Sequence, residues 1–224
     1  MKHFFHFLQN IIFLGIIFFG IWFYQTSPNV RIATNDSLQT LHQRLSQIVT
    51  TGNLAPPKLS DPDQTDQATT GKKAVTDRWS KPEATIYVDL NNNHLLRSAT
   101  LDAISLWNRT GAFTFKQVNN AKAAQIIVKA VDESNTSAAG ETSTSYNLAT
   151  GHLLKATVNL NRFYLQNVFY GYSYNRVVNT AEHELGHAIG LSHNNGVSVM
   201  YPKGSFYTIQ PIDIEAVKKL YNED

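Results

Sequence analysis

The distribution of apolar residues divides this chain of 224 residues into three parts. Residues Phe4 to Tyr24 are almost continuously apolar, and only His6 and Gln9-Asn10 interrupt the run. A helix of this length spans about 31 Å, which is enough to cross the hydrocarbon core of a bilayer. The pattern therefore predicts an N-terminal transmembrane helix, or a secretion signal, within residues 1–24.

Two interpretations of this segment remain open. The strictly apolar part, Ile11 to Tyr24, also suits the central region of a signal peptide, which is removed after export. No Ala-x-Ala-like cleavage site follows Tyr24, which favours an uncleaved anchor. Lys2 on the short side predicts an inside N-terminus and a single-pass protein with its remaining domains outside. If the segment is cleaved, the protein is secreted. A buried core helix is a third, weaker interpretation.

Residues 25–76 have the composition of a stalk or linker. Within residues 35–49, Leu38, Leu41, Leu45 and Ile48 recur at helical spacing and predict a short amphipathic helix. It could be a stalk, a self-association seam, part of a pro-segment, or a weak helix with no partner. Residues 51–73 are rich in Pro, Asp, Thr, Gln and Lys, which is typical of a disordered tether.

From residue 77 onwards the pattern predicts an α/β domain. β-Rich runs at 84–89, 113–118 and 125–131 surround a helix at 98–108, whose apolar face is Leu101, Ile104 and Trp107. Residues 141–146 and 153–161 form a predicted hairpin, and the second arm alternates apolar and polar residues as a half-buried strand does. Helices that back a twisted sheet follow from this order of elements.

Two further helices complete the predicted domain. The first runs from Tyr174 to Ile189, and the second from Pro211 to Tyr221, where proline suits the first turn. The predicted buried positions are Val178, Ala181, Leu185 and Ala188 in the first helix, and Ile214, Val217 and Leu220 in the second.

Composition narrows the function classes only slightly. The formal net charge is +2 and the basic residues are scattered, so nucleic acid is not an expected partner. The chain has no cysteine, which excludes disulfides and thiolate metal sites. Nothing in the sequence sets the oligomeric state.

The most informative motif is H-E-x-x-H-x-x-G-x-x-H at residues 183–193. His183 and His187 lie one helical turn apart, so both imidazoles project from one face. Gly190 allows the helix to end and the chain to turn back, which lets His193 reach the same metal. Three neutral imidazoles leave the fourth position of a Zn²⁺ ion open for water, as a catalytic site requires. Glu184 adjoins these ligands and is predicted to be the general base.

At these residues the chain resembles the metzincin zinc endopeptidases, which also carry a methionine turn beneath the metal. Met200, followed by Tyr201 and Pro202, is similar to the matrixin branch of that group. Asn194 stands where matrixins usually have serine, a cysteine switch is impossible, and the ligands for a second, structural zinc are not found. A small bacterial-type matrixin fits these departures.

The resemblance implies several further features. The fold would be a metzincin-like mixed sheet of about five strands, with an antiparallel edge strand at residues 141–146 above the cleft. An extended peptide or protein substrate would add to that edge. Met200 would lie under the imidazoles as an apolar floor, without binding the metal. Calcium is a second candidate ion. The implied pocket wall is Tyr201, Pro202, Phe206 and Tyr207, and the acidic residues considered for calcium are Asp132, Glu133 and Glu141.

The sequence thus predicts a zinc-dependent endopeptidase that acts on extracellular or cell-surface proteins. One alternative is a non-catalytic, zinc-stabilised surface module, against which the presence of Glu184 argues. The other alternative is a zinc peptidase acting on cell-wall peptides. His94 and His152 lie outside the motif and are predicted to be ordinary histidines, although His152 is the next candidate for a third ligand.

Overall fold

The computed structural model describes residues 2–26, 31, 34, 35, 38, 78–203 and 205–222. The chain divides into two compact units, Met1–Ala55 and Pro56–Asp224. In the first unit, helix α1 (Lys2–Thr26) carries exposed apolar side chains between Phe13 and Trp22, among them Ile16 and Phe18. Near its end, the Tyr24 hydroxyl donates to Asn35 Oδ1 at 3.1 Å.

The predicted transmembrane anchor receives no support from the structure. Among the described residues, no helix combines the length and the apolar character that crossing a bilayer requires. The amphipathic helix predicted at residues 35–49 lies outside the described residues except for Asn35 and Leu38, and the linker predicted at 51–73 lies wholly outside them.

The second unit is built on a mixed sheet of five strands, as predicted. Its strand order is β2-β1-β3-β5-β4. All neighbours pair in parallel except β4 and β5, which form the antiparallel hairpin. The strands are β1 (Glu83–Asp89), β2 (Thr114–Gln117), β3 (Ile126–Val131), β4 (Gly140–Tyr146) and β5 (Leu153–Asn161). β4 is therefore a terminal strand.

The apolar alternation of the strands forms the core. Ile86, Val128 and Val158 are buried in β1, β3 and β5, where side chains two residues apart share one face. Helix α2 (His94–Arg109) packs on the sheet with Leu96, Ile104 and Trp107 buried. It begins four residues before the predicted start at Ser98, because the Asn93 side chain accepts from Leu96 N and caps the first turn.

Three more helices follow β5: α3 (Arg162–Leu165), α4 (Tyr174–Ala188) and α5 (Pro211–Asn222). Ser173 caps α4 by accepting from Arg176 N. The stripe predicted for α4 is buried, and the helix packs against α2, where Trp107 Nε1 donates to Glu182 O at 2.9 Å.

The apolar face predicted for α5, which consists of Ile214, Val217 and Leu220, packs in or against the core. Val217 is fully buried, whereas Ile214 and Leu220 are half-buried. The residues buried beside Val217 are Asp213 and Tyr221, both of which carry polar groups. Asp213 and Tyr221 face inwards on α5, and each forms hydrogen bonds with the chain around the end of α4, as described below.

Candidate active site

The three histidines of the motif converge at the end of α4. His183 and His187 lie one turn apart, and their Nε2 atoms are 3.1 Å from each other. His193 lies beyond the helix, and its Nε2 is 3.2 Å from that of His187. Within the part of the chain that the structure describes, these three residues form the only group of histidine and acidic side chains arranged to share a metal ion.

The hydrogen bonds of the His183 and His187 rings indicate that their Nε2 atoms face each other as lone pairs. His183 Nδ1 lies 2.7 Å from Val199 O, and His187 Nδ1 lies 2.9 Å from Leu191 O. A carbonyl oxygen only accepts, so each Nδ1 carries the proton and each Nε2 is left with its lone pair. Facing lone pairs need a cation between them. Tetrahedral Zn²⁺ with bonds of 2.0–2.1 Å places its ligand nitrogens about 3.3 Å apart, close to the spacing found here.

The electrostatic environment also favours neutral imidazoles. Burial lowers the pKa of His187 to about 4, and the neighbouring His183 adds to this effect. Burial likewise lowers the pKa of His183, although the bond to Val199 acts in the opposite direction. A group whose pKa lies below its usual value is deprotonated at neutral pH, which is the form that binds a metal.

A Schellman turn brings His193 to the other two ligands. Leu191 N donates to Gly186 O and Gly190 N donates to His187 O, both at 3.0 Å, and Gly190 has φ of 105°. This turn reverses the chain after α4, as the sequence predicted. It also presents Leu191 O, the acceptor that holds the ring of His187.

The segment around Met200 lies directly behind the histidines. Met200 is fully buried, and its Sδ packs so closely on Gly186 that a Cβ there would lie 2.3 Å from it. The preceding residue, Val199, supplies the carbonyl that holds His183. The turn is fixed from α5, because Asp213 accepts from Val199 N at 2.9 Å and also from the Ser198 hydroxyl.

Glu184 lies between the histidines and β4. Its side chain lines the cavity but is only 5% exposed. The Thr142 hydroxyl is 2.7 Å from Glu184 Oε2 and 3.0 Å from the Glu184 carbonyl oxygen. Burial raises the pKa of Glu184 to about 7, the bond from Thr142 opposes this shift, and the charge of Glu141 adds to it. A raised pKa near neutrality is what a carboxylate needs to accept a proton and later return it.

The cavity beside these groups has a volume of about 630 Å³. Tyr201 and Pro202 line it, as predicted from the resemblance, together with Ser205. Phe206 and Tyr207 are not among its lining residues. Phe206 is 66% exposed and lies against the Arg176 guanidinium, while Tyr207 packs edge-on against Tyr201.

The remaining candidate ligands lie elsewhere. His94 is exposed on α2. His152 lies at the start of the hairpin's second arm, where its backbone forms an isolated parallel β-bridge with that of Arg78. Of the acidic residues considered for calcium, Asp132 pairs with Arg162 at 2.7 Å. Neither Glu133 nor Glu141 joins a described group of three such side chains that could hold an ion.

The residues that support the site from distant positions in the chain were not identified from the sequence. Gly140 and Thr142 contact Glu184, Asp213 holds the turn before Met200, and buried Glu182 accepts from Thr208 Oγ1 at 2.7 Å. Asp213 offered one signal in the sequence. It is an acidic residue in the first turn of a predicted helix, and it adjoins the predicted apolar face of that helix. Thr142 lies in a run of serine and threonine with no local signal at all.

Comparison with known proteins places this site in a family. The family model described as matrixin matches residues 78–222, which is well over half of the chain. No curated protein matches the chain. The match covers the whole sheet, the histidines and α5, and the three converging imidazoles are those that a zinc peptidase of this kind needs. The chain therefore belongs to the matrixins and is a zinc metalloendopeptidase.

Proposed function

We propose that His183, His187 and His193 bind the catalytic zinc and that Glu184 is the general base for hydrolysis of peptide bonds. The observation that carries this proposal is the convergence of three Nε2 atoms, each within 3.2 Å of a neighbour, in the cavity that Glu184 also lines. The bonded Nδ1 atoms of His183 and His187 fix the tautomers that this role requires.

When zinc is bound there, it acts as a Lewis acid that activates water and polarises the peptide carbonyl. Glu184 accepts a proton from the attacking water as the water oxygen forms its bond to the carbonyl carbon. The carboxyl group then donates that proton to the amine nitrogen as the C–N bond breaks, so the residue ends each cycle in its starting state. The buried position of Glu184 keeps bulk water from competing for this proton.

The terminal position of β4 supports an extended substrate. Its residues pair with β5 on one side only, and Gly140, Glu141, Thr142 and Thr144 line the cavity. A peptide that adds to the other side of β4 gains main-chain hydrogen bonds and runs past the histidines. Its scissile carbonyl then lies beside the zinc position.

The proposed substrates are extracellular or cell-surface proteins. The support comes from the sequence of the N-terminal segment, where Lys2 precedes the apolar run from Phe4 to Tyr24. Such a segment directs the following domain outside, either as a retained anchor or as a removed signal. Cell-wall peptides are the alternative substrate class.

The central experiment measures zinc content and cleavage of an unbiased peptide library with the full chain, beside its Glu184→Gln and Glu184→Ala variants. We expect about one zinc per chain in all three proteins, and a loss of about 100- to 10,000-fold in turnover in both variants. The same metal analysis reports calcium. A Glu184→Ala protein that turns over at the wild-type rate would exclude this residue as the base. Cleavage of cell-wall peptides alone would replace the proposed substrate class.

The location is tested separately. Full-length protein in intact cells is exposed to an external protease, and membranes are extracted with carbonate. Digestion of the catalytic domain, or its recovery from the medium, supports an outside location, and carbonate extraction tells a retained segment from a removed one. A catalytic domain protected in intact cells would contradict the proposal.

A further inference from the structure

Two inward-facing positions of β4 contact the side chain of Glu184. Residues 140 and 142 are two apart in a strand, so they face the same side, which is the side of α4. Thr142 Oγ1 is within hydrogen-bond distance of two Glu184 oxygens, at 2.7 and 3.0 Å. A hydroxyl has one proton, and the charged carboxylate at the shorter distance is the stronger acceptor. Thr142 therefore holds one oxygen of this carboxylate.

Gly140 provides the space in which the other part of the carboxylate lies. A Cβ at this position would be 2.6 Å from both Cγ and Oε1 of Glu184, and 2.9 Å from its Cδ. Real Cβ contacts are essentially never shorter than 3.0 Å. Any side chain at residue 140 would therefore displace the Glu184 carboxylate from its present place.

These two contacts leave the carboxylate few alternatives. A glutamate has three rotatable side-chain bonds, so fixing its carboxylate in one place costs conformational entropy. Glu184 is already 5% exposed, with Thr142 on one oxygen and the bare backbone of Gly140 against the other. A base that is fixed before the substrate arrives avoids that cost in the transition state.

We propose that Gly140 and Thr142 are positioning residues that set the orientation of the general base, and that β4 thereby supports catalysis as well as peptide binding. This inference rests on the proposed role of Glu184. Both residues act through the Glu184 carboxylate and neither is a proposed ligand of the metal, so their effect falls on turnover rather than on metal or peptide affinity.

The test uses full-chain Thr142→Val, Thr142→Ser and Gly140→Ala proteins, with Thr157→Val on β5 as the matched control outside the cavity. For Thr142→Val and Gly140→Ala we expect kcat to fall about 10- to 100-fold, the range for a small misplacement of a catalytic group. KM should stay within about twofold and zinc content should stay at the wild-type level. Thr142→Ser restores the hydroxyl and should recover most of kcat, and Thr157→Val should match wild type.

A double variant separates positioning from a structural effect. If Thr142 acts through Glu184, then Thr142→Val should lower the residual rate of Glu184→Ala by less than about twofold, because the base is already gone. A full repeat of the single-variant loss in that background would overturn the inference, as would wild-type kcat in both Thr142→Val and Gly140→Ala. Failure of wild type to cleave any peptide would refute the proposed function instead.

Discussion

Asp213 fixes the turn at Met200 from a different helix, 15 positions after Ser198. It is 2% exposed, and its Oδ2 accepts from Val199 N at 2.9 Å and from Gln210 N at 2.8 Å, while the Ser198 hydroxyl donates to Oδ1. Since Val199 O holds His183, one carboxylate sets the position of a proposed zinc ligand through a single intervening residue.

Replacement of Asp213 by alanine should therefore destabilise the protein. Two backbone N–H groups lose their acceptor, and each buried unsatisfied group costs about 1–3 kcal/mol. We expect a fall of at least about 2 kcal/mol in the free energy of unfolding and weaker zinc binding, measured by denaturant titration and by competition with a chelator. Asp213→Asn keeps one oxygen for both N–H groups and should lose less. Equal stability of Asp213→Ala and wild type would contradict this account.

The three histidines proposed as zinc ligands could be picked out of the sequence because the geometry that brings them together is local. His183 and His187 are related by one helical turn, and Gly190 signals the reversal that brings His193 close. Thr142 could not be found in this way, since its contact with Glu184 spans 42 positions and depends on the register of β4. Pairing of distant segments has no local signature in a single sequence.

At the scale of elements, the turn that ends α4 has two functions. It stops the helix and it supplies Leu191 O to His187. The motif depends on Gly190, because φ of 105° is a conformation that other residues rarely adopt.

Gly190→Ala should disturb both functions. Left-handed backbone costs a residue with a Cβ about 1–2 kcal/mol, so we expect a loss of that size in stability. Relaxation of the turn would also move His193, and zinc affinity should fall at least about tenfold by chelator competition. Gly196→Ala offers a nearby control, because the φ of Gly196 is not positive and the nearest atom to an added Cβ would be Asn194 Oδ1, at 3.2 Å. Unchanged stability and zinc affinity in Gly190→Ala would count against the turn as the element that places His193.

Element types were easier to predict than element ends and faces. The five strands follow from runs of β-branched and alternating residues, and tertiary packing agrees with that pattern. The start of α2 was missed because a single cap residue, Asn93, moves it by one turn. The burial of Asp213 and Tyr221 on α5 was not predicted, because both residues are buried together with their hydrogen bonds, which hydrophobic periodicity does not register.

On the scale of the second unit, Trp79 lies near the start of its described residues and links them to the end of α4 by a hydrogen bond. It is 1% exposed, its Nε1 donates to Ala188 O at 2.9 Å, and its backbone N donates to the Tyr221 hydroxyl at 3.2 Å. Tyr221 in turn donates to Ile189 O at 2.8 Å. The two ends of the domain thus meet directly beneath the turn that carries His193.

Truncation of this side chain should be costly. Large aromatic side chains in a core contribute about 3–5 kcal/mol when replaced by alanine, so Trp79→Ala should lower Tm by well over 5 °C. Trp79→Phe keeps most of the apolar volume and removes only the donor to Ala188 O, so it should lose clearly less. The Tm of wild type, Trp79→Ala and Trp79→Phe can be measured by calorimetry or circular dichroism. A Trp79→Ala protein as stable as wild type would mean that the packing and hydrogen bond of this side chain are dispensable.

Metal removal should also act on the whole domain. A ligand that binds only the folded state adds about 4 kcal/mol of stability when its free concentration is 1,000 times its Kd. Dialysis against a chelator should therefore abolish cleavage and lower Tm, and stoichiometric zinc should restore both. A Tm that does not respond to zinc would show that the folded domain does not bind the ion preferentially, and would contradict the proposed site.

Glu184 lies against the inward-facing side of β4, while the other long edge of this strand is the one proposed to pair with the peptide. Under the proposed roles, one strand therefore serves both the substrate and the base. Variation in β4 is then constrained twice, at its edge by main-chain pairing with the peptide and on its inner face by the carboxylate of Glu184.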